Sequence, residues 1–215
     1  AANHSAYNNY DSSAYGTNST AIGRNSEAGV RLYHANGTAN NVTKELSVIK
    51  TDATGAYQTD ANGMVIRETV TETRQLTSGA ESIAQGHGAK AISNNSIAIG
   101  IDAQAGVVTQ EVGLVDASGN PILDSNGTQK KGAVAVGGDN AIAIGNKSLA
   151  TGEKSISVGY GNQVTGIGSG AFGDPTYITG NGSYSVGNGN NVSTDGTFVL
   201  GTNVSNVTEN SVFLG

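Results

Sequence analysis

Short apolar segments recur along this chain, and each of them ends at a glycine. From residue 141 onward the closing glycines are spaced 14 residues apart, at Gly145, Gly159, Gly173, Gly187, Gly201 and Gly215. Similar pentads such as STAIG and SIAIG end earlier, at Gly23, Gly86, Gly100 and Gly137. A period this short predicts a β-solenoid, because each repeat can bury its apolar side chains only against its neighbours.

Alignment of the 14-residue units predicts which positions are buried. The residue before each glycine and the residue two places earlier are mostly large and apolar, as at Ile144 and Ile142, whereas Ala143 between them is small. A weaker apolar column five residues beyond the glycines predicts a second strand with one buried and one wet face. We therefore expect an all-β, parallel β-roll solenoid with 14-residue coils, in which Ile22 and Ile144 are core residues.

The first strand of each coil is apolar or small on both of its faces. A flat roll of two sheets can cover only one of these faces, so the other requires a partner. Identical chains are the simplest source of such a partner, and the pattern predicts a symmetric homo-oligomer. The alternative is a monomeric solenoid that tolerates small residues on an open face.

The period is interrupted twice. We expect roll coils at residues 1–30, 81–107 and 133–215, a strand-rich insert at 31–80 and a hairpin insert at 108–132. The segments DANG at Asp60 and DSNG at Asp124 lack the full spacing of calcium loops and are interpreted as hairpin turns. Loops on a rigid scaffold often carry specificity, so the inserts are candidates for that role.

Composition narrows the possible functions. The chain of 215 residues has 32 glycines, no cysteine and a net charge of −6, and its eleven Lys and Arg residues are scattered, so nucleic acid is not an expected partner. The GSGAFG segment at 168–173 stays in the repeat register and is not interpreted as a nucleotide loop. No catalytic constellation, cofactor or metal site is predicted, and we do not expect an enzyme. No signal peptide or long apolar run is present, and we expect a piece excised from a longer secreted chain.

The repeat itself resembles a known family. NSTAIGRNS at 18–26, NSIAIG at 95–100 and NAIAIGNKS at 140–148 are similar to the NSVAIGxxS repeat in YadA-like heads of trimeric autotransporter adhesins. The resemblance implies a left-handed parallel β-roll, three rolls around a threefold axis and, in some relatives, hairpin head inserts. It also implies exposure on a bacterial outer membrane, an anchor region outside this sequence, and adhesion to host matrix, host cells or other bacteria.

The same resemblance implies candidate ligand-binding residues, because the motif is tied to ligand binding in a collagen-binding member. The positions that match are Asn18, Ser19, Ala21, Ile22, Gly23, Ser26, Asn140, Ala143, Ile144, Gly145 and Ser148. The alternative is that the motif only builds the fold. A different function also stays open, because the receptor-binding segment of a phage tail fibre or spike is likewise trimeric and β-rich.

Overall fold

The structure, a computed structural model, describes residues 12–205 and 207–215. These residues form no helix, and hence none that could cross a membrane. Their strands are β1 (Ser13–Ala14), β2 (Thr20–Ile22), β3 (Glu27–Ala28), β4 (Asn41–Ile49), β5 (Arg67–Gln75), β6 (Ile83–Gln85), β7 (Lys90–Ala91), β8 (Ile97–Ile99), β9 (Gln104–Ala105), β10 (Val107–Gly113), β11 (Lys131–Gly137), β12 (Ile142–Ile144), β13 (Leu149–Ala150), β14 (Ile156–Val158), β15 (Gln163–Val164), β16 (Gly170–Phe172), β17 (Tyr177–Ile178), β18 (Tyr184–Asn188), β19 (Asn191–Val192), β20 (Phe198–Thr202) and β21 (Val212–Leu214).

Most strands build two parallel sheets. The eight-strand sheet has the order β1-β3-β7-β9-β13-β15-β17-β19, and the nine-strand sheet has the order β2-β6-β8-β12-β14-β16-β18-β20-β21. The chain alternates between the sheets, and where no insert intervenes the paired residues are 14 apart, as with Ile142 and Ile156. The prediction of an all-β parallel solenoid with 14-residue coils is therefore confirmed.

The interior of the roll is thin and is filled by small residues. In the nine-strand sheet the second residue of each strand points inward, and Ala143, Ser157 and Ala171 are fully buried in this way. The eight-strand sheet faces them with Ala28, Ala91, Ala105 and Ala150 in the earlier coils and with Val164, Ile178 and Val192 in the later ones. Side chains of this size fill the gap between two sheets that tight turns hold close together.

The expectation that Ile22 and Ile144 are core residues is wrong. Their side chains point away from the interior and are 42% and 38% exposed, because the narrow gap accepts the intervening Ala21 and Ala143 instead. Large apolar side chains at the equivalent positions also point outward and form what we call the outer apolar face. Its most exposed members are Ile22, Ile83, Ile144, Phe172, Tyr184, Val186, Phe198, Leu200, Val212 and Leu214.

Glycine is required at the corner that follows each strand of the nine-strand sheet. Gly159 has φ of 128°, a conformation that favours glycine, and a Cβ built on it would overlap the carbonyl oxygen of Gly173 in the next coil. The same overlap with the next coil recurs along the column from Gly23 to Gly201. The 14-residue glycine period therefore records the close approach of successive backbones.

Buried asparagine side chains hydrogen-bond neighbouring coils to one another in the later part of the roll. The Asn162 Oδ1 accepts from the Thr176 N–H at 2.8 Å, and its Nδ2 donates to the Gly173 carbonyl at 2.7 Å. Asn190 repeats both bonds two coils later, with the Val204 N–H and the Gly201 carbonyl. Each amide thus satisfies backbone groups that the turns leave without a sheet partner.

The chain divides into two compact units, of which the smaller is residues Ala39–Leu76. Its stem is the antiparallel pair β4 and β5, which runs in register from Asn41↔Gln75 to Ile49↔Arg67. Beyond the stem, the backbone N–H groups of Lys50, Ile66 and Gln58 donate in a closed ring to the carbonyls of Ile66, Gln58 and Lys50, respectively. The tip is therefore a junction of the stem with two short hairpin loops.

Each loop of this tip is closed by an aspartate. Asp52 Oδ1 accepts from the backbone N–H of Thr54 and of Ala56, and Asp60 Oδ1 accepts in the same way from Asn62 and Met64. These are the side-chain-to-backbone bonds of an Asx turn. The interpretation of the DANG segment as a hairpin turn is confirmed.

The larger unit, whose described part is residues 12–38, 77–205 and 207–215, contains a second hairpin, formed by β10 and β11. Its tip repeats the closed ring at Leu114, Lys130 and Ile122, and Asp116 and Asp124 close its two loops. DSNG is thus also a hairpin turn. The pentad that ends at Gly137 belongs to this hairpin, where Gly137 pairs with Val107, and is not a strand of the roll.

The roll continues without a break across the second hairpin. Ile97 of β8 pairs with Ile142 of β12, and Gln104 of β9 pairs with Leu149 of β13. Asn94 crosses the same junction, since its backbone N–H donates to Asp139 Oδ1 at 3.1 Å. Both sheets therefore pass from the coil before the hairpin directly to the coil after it.

Candidate functional site

The residues that the NSVAIGxxS resemblance singled out divide between the interior and the surface. Ala21, Ala143, Ser19, Ser26 and Ser148 are buried. Gly23 and Gly145 are half-buried at the strand ends, whereas Asn18, Asn140, Ile22 and Ile144 are exposed. On a single chain, only the asparagine and the isoleucine of each matched set are exposed.

The buried serines hold the turns together. The Ser19 hydroxyl donates to the Gly16 carbonyl at 2.7 Å, and the Ser26 hydroxyl donates to the Gly23 carbonyl at 2.8 Å. Ser148 instead reaches across the interior to the Ser157 carbonyl at 2.8 Å. The same Gly16 and Gly23 carbonyls also accept the backbone N–H of Ser19 and Ser26, each at 3.3 Å, so these serines close their turns twice, which is a structural role.

The exposed asparagines have a backbone role. Asn18 and Asn140 adopt φ of 56° and 61°, in the left-handed region, where asparagine is favoured among residues that carry a side chain. Fold geometry therefore accounts for most polar residues of the motif, and Ile22 and Ile144 are left as members of the outer apolar face.

The outer apolar face follows the nine-strand sheet. Neighbouring strands are about 4.8 Å apart, so nine strands extend over roughly 38 Å. The ten most exposed side chains on this face are between 38% and 75% exposed. The outer positions of the eight-strand sheet are more polar, with Glu27, Lys90, Gln104, Gln163 and Asn191 among them. A continuous apolar surface of this kind marks a contact surface on a soluble protein.

The hairpin tips present a second set of exposed apolar side chains. In the smaller unit Tyr57 and Met64 are both 68% exposed and Val65 is 47% exposed. In the second hairpin Leu123 is 52% exposed beside Ile122. Sequence reasoning identified the inserts as candidates but did not single out these residues, because isolated apolar residues in a polar loop carry no periodic signal.

Acid and base groups do not gather into a site that could hold a metal. Within the described part of the chain, no group of three or more His, Cys, Asp or Glu side chains is placed to bind one. The ion pairs found there, Arg74 with Glu72, Lys131 with Glu111 and Lys154 with Glu153, join side chains that are all more than one third exposed.

A repeat-built parallel roll with one large apolar face and loop-bearing hairpins defines a scaffold for surface contact. A comparison with family models agrees with that class, since residues 10–28, 78–103, 137–162 and 150–174 match the YadA head domain repeat. The matched segments are coils of the roll, and they leave out β4, β5 and β10. A comparison with the curated proteins finds no match.

The chain therefore contains YadA head domain repeats on a β-solenoid, which is consistent with a YadA-like head. The resemblance drawn from the sequence is confirmed. The family is one of structural adhesin domains and not one of enzymes, and it indicates an adhesin-type function at an exposed surface.

Proposed function

We propose that this chain is the head of a bacterial outer-membrane adhesin that acts as a homotrimer and attaches to host matrix, host cells or other bacteria. The contacts are non-enzymatic and multivalent, and the membrane anchor belongs to a region outside this sequence. The observation that carries the proposal is the outer apolar face on a scaffold of YadA head repeats, since heads of this family are trimeric and adhesive.

Trimerisation gives the outer apolar face its partner. Phe172, Tyr184 and Phe198 lie on successive strands, and each is between 38% and 40% exposed in the single chain. Full burial of a side chain of this kind contributes about 1.5–3 kcal/mol. The roll interior offers mainly Ala and Ser, so the interface between chains supplies a large part of the apolar burial that stabilises the head.

Adhesive contacts then come from surfaces that the trimer leaves open. Ile22 and Ile144 belong to the face that other chains cover, and the motif serines are interior. We therefore favour the hairpin tips, with Tyr57, Met64 and Leu123, over the NSVAIGxxS motif as the source of ligand contact. Three identical weak sites on one trimer raise overall avidity by about 10² or more over a single site.

Sedimentation equilibrium tests the oligomeric state. We expect the chain to sediment as a trimer at micromolar concentration, with no change in mass on dilution through that range. A monomer throughout the range would contradict the proposal, because the folded chain would then be stable with its outer apolar face exposed to water.

Solid-phase binding tests the adhesive role. The intact chain and a variant lacking residues 39–76 are compared on matrix proteins, epithelial cells and bacterial cells. The deletion retains two contacts of the larger unit that flank the insert. Arg31 pairs with Thr77, and the Ser78 N–H donates to the Val30 carbonyl. We expect the deleted chain to remain trimeric and to bind less; unchanged binding would assign adhesion to the second hairpin or to the roll instead.

A further inference from the structure

A groove of about 440 Å³ lies in the larger unit, where the chain leaves the roll after β3. Glu27 and Lys90 form its floor, as paired neighbours on the outer side of the eight-strand sheet. Its walls come from Tyr15, the segment at 30–33 and the second hairpin. The volume lies within the roughly 300–1,000 Å³ that is usual for small-molecule pockets.

The walls are fixed by the backbone. The Tyr33 N–H donates to the Ala133 carbonyl at 2.8 Å, and the Val30 N–H donates to the Ser78 hydroxyl oxygen at 3.2 Å. Gly132 leaves room for an aromatic ring, because a Cβ added there would lie 2.6 Å from Tyr33 Cδ2. The groove is thus formed before any ligand arrives, which reduces the entropy cost of binding.

Three cations and two carboxylates line this groove, in a chain whose net charge is −6. Lys131 Nζ lies 4.0 Å from Glu111 Oε2. The Arg31 guanidinium lies 5.1 Å from the centroid of the Tyr15 ring, and neither it nor Lys90 has a carboxylate partner within ion-pair distance among residues 12–205 and 207–215. Burial raises the pKa of the Glu27 carboxyl above its ordinary value of 4.5, and the charge of Lys90 acts against that shift.

We infer that this groove binds a carboxylate-bearing sugar. The planar fork of Arg31 can hold a carboxylate through two bonds, and Lys90 and Lys131 add positive charge beside it. Glu27, Glu111 and the tyrosine hydroxyl groups can bond the hydroxyls of a sugar. The same two carboxylates repel a ligand with many negative charges, so an acidic peptide or a nucleic acid fits the groove less well.

The inference names a ligand class for the proposed adhesin head and rests on that proposal for its biological role. Binding itself does not depend on the trimer, because one chain supplies every residue of the groove. The outer apolar face belongs to the other sheet, so an assembly through that face leaves Glu27 and Lys90 uncovered.

Saturation-transfer NMR and isothermal titration calorimetry of the whole chain test the inference. The probes are 3′-sialyllactose and a hyaluronan tetrasaccharide, with lactose as the neutral control and triglutamate as the acidic peptide. We expect at least one acidic sugar to bind, and lactose and triglutamate to bind at least about tenfold more weakly. Preference between the two acidic sugars distinguishes sialic acid from a uronic acid. Equal binding of lactose or triglutamate, or no acidic sugar bound at millimolar concentration, overturns the inference.

Variants locate the binding. Arg31→Gln and the exposed Lys131→Gln should each weaken the bound acidic sugar, Arg31→Gln by about tenfold or more. Arg67→Gln is the matched control, since Arg67 lies in the smaller unit and bonds the Ser47 carbonyl. Full affinity in both groove variants would place the site elsewhere. Sedimentation of the same samples separates the two proposals. A monomer that binds the sugar contradicts only the proposed trimer. A trimer that does not bind the sugar contradicts only the proposed sugar site.

Discussion

Ser148 and Ser157 face each other across the interior of the roll, with their hydroxyl oxygens 2.7 Å apart and both side chains fully buried. Ser148 matches the last serine of the NSVAIGxxS motif. At the position of Ser157, the neighbouring strands carry Ala143 and Ala171. Ser157 is thus a polar residue between two alanines, made acceptable because its hydroxyl has that of Ser148 as a partner.

Replacement of one of these serines should lower the free energy of unfolding by more than half of the loss that follows replacement of both. Ser148→Ala leaves the Ser157 hydroxyl without its closest partner, and we expect a loss of about 1–2 kcal/mol in the free energy of unfolding. The double variant Ser148→Ala/Ser157→Ala should lose less than the sum of the two single variants, because two apolar groups then face each other. Thermal denaturation of all four proteins measures this coupling. Additive losses would contradict it, and ligand binding lost without any loss of stability would make Ser148 a ligand residue.

A methyl group at Gly159 should destabilise the roll far more than one at Gly168. Both residues have positive φ, of 128° and 62°, but only at Gly159 would the Cβ overlap the next coil, whereas at Gly168 nothing lies within 4 Å. We expect Gly168→Ala to cost about 1–2 kcal/mol for its backbone conformation. Gly159→Ala should cost at least about twice as much, measured by chemical denaturation. Equal costs would show that the backbones of neighbouring coils separate easily.

Phe172 and Tyr177 lie on the two different outer surfaces of the roll, so substitutions at them test each surface by itself. They are 40% and 46% exposed, on β16 of the nine-strand sheet and β17 of the eight-strand sheet, respectively. Phe172→Glu places a charge on the outer apolar face and should convert the proposed trimer to monomers in sedimentation equilibrium, because burial of an unpaired charge costs several kcal/mol. Tyr177→Glu makes a similar change on the more polar outer surface of the eight-strand sheet and should leave the proposed trimer intact. Dissociation by Tyr177→Glu alone would place the interface on the other sheet.

The tip of the smaller unit should loosen in acid. Hydrogen bonds to Asp52 hold the pKa of its carboxyl below the ordinary 3.8, chiefly the bond from the Thr54 hydroxyl and then the one from the Thr54 N–H. Because the folded pKa is depressed, the stabilisation is present above the ordinary value and is lost as pH falls through the folded one. Titration of the Asp52 carboxyl carbon by NMR measures this pKa. Thr54→Val removes the largest cause and should raise it toward the ordinary value; an unchanged pKa would mean that the hydroxyl contributes nothing.

The repeat register could be predicted from sequence because backbone contact fixes it. Gly159 and Gly173 are adjacent in space and 14 residues apart, so the period of the glycines is the length of a coil. The prediction that Ile144 is a core residue was wrong for a different reason. Hydrophobicity marks a residue that leaves water, but it does not say whether its own chain or a second chain covers it.

The groove could not be predicted from sequence. Glu27 and Lys90 are 63 positions apart and become neighbours only because the sheet continues across the first insert. Arg31 and Lys131 meet there because Tyr33 pairs with Ala133, a contact between two segments outside the repeat. Periodic analysis locates residues that repeat, whereas the walls of this groove come from Arg31, Tyr33 and Lys131, which lie outside the repeat.

Gln104 pairs with Leu149 and Ile97 pairs with Ile142, so both ladders of the roll pass across the second hairpin without using β10 or β11. The tip of that hairpin takes no part in these ladders, and the paired coils carry the fold. A gene can therefore exchange the tip for another by recombination while every ladder of the scaffold stays in register. Sequence change at this tip has a low folding cost, so the surface can diversify while the architecture stays the same.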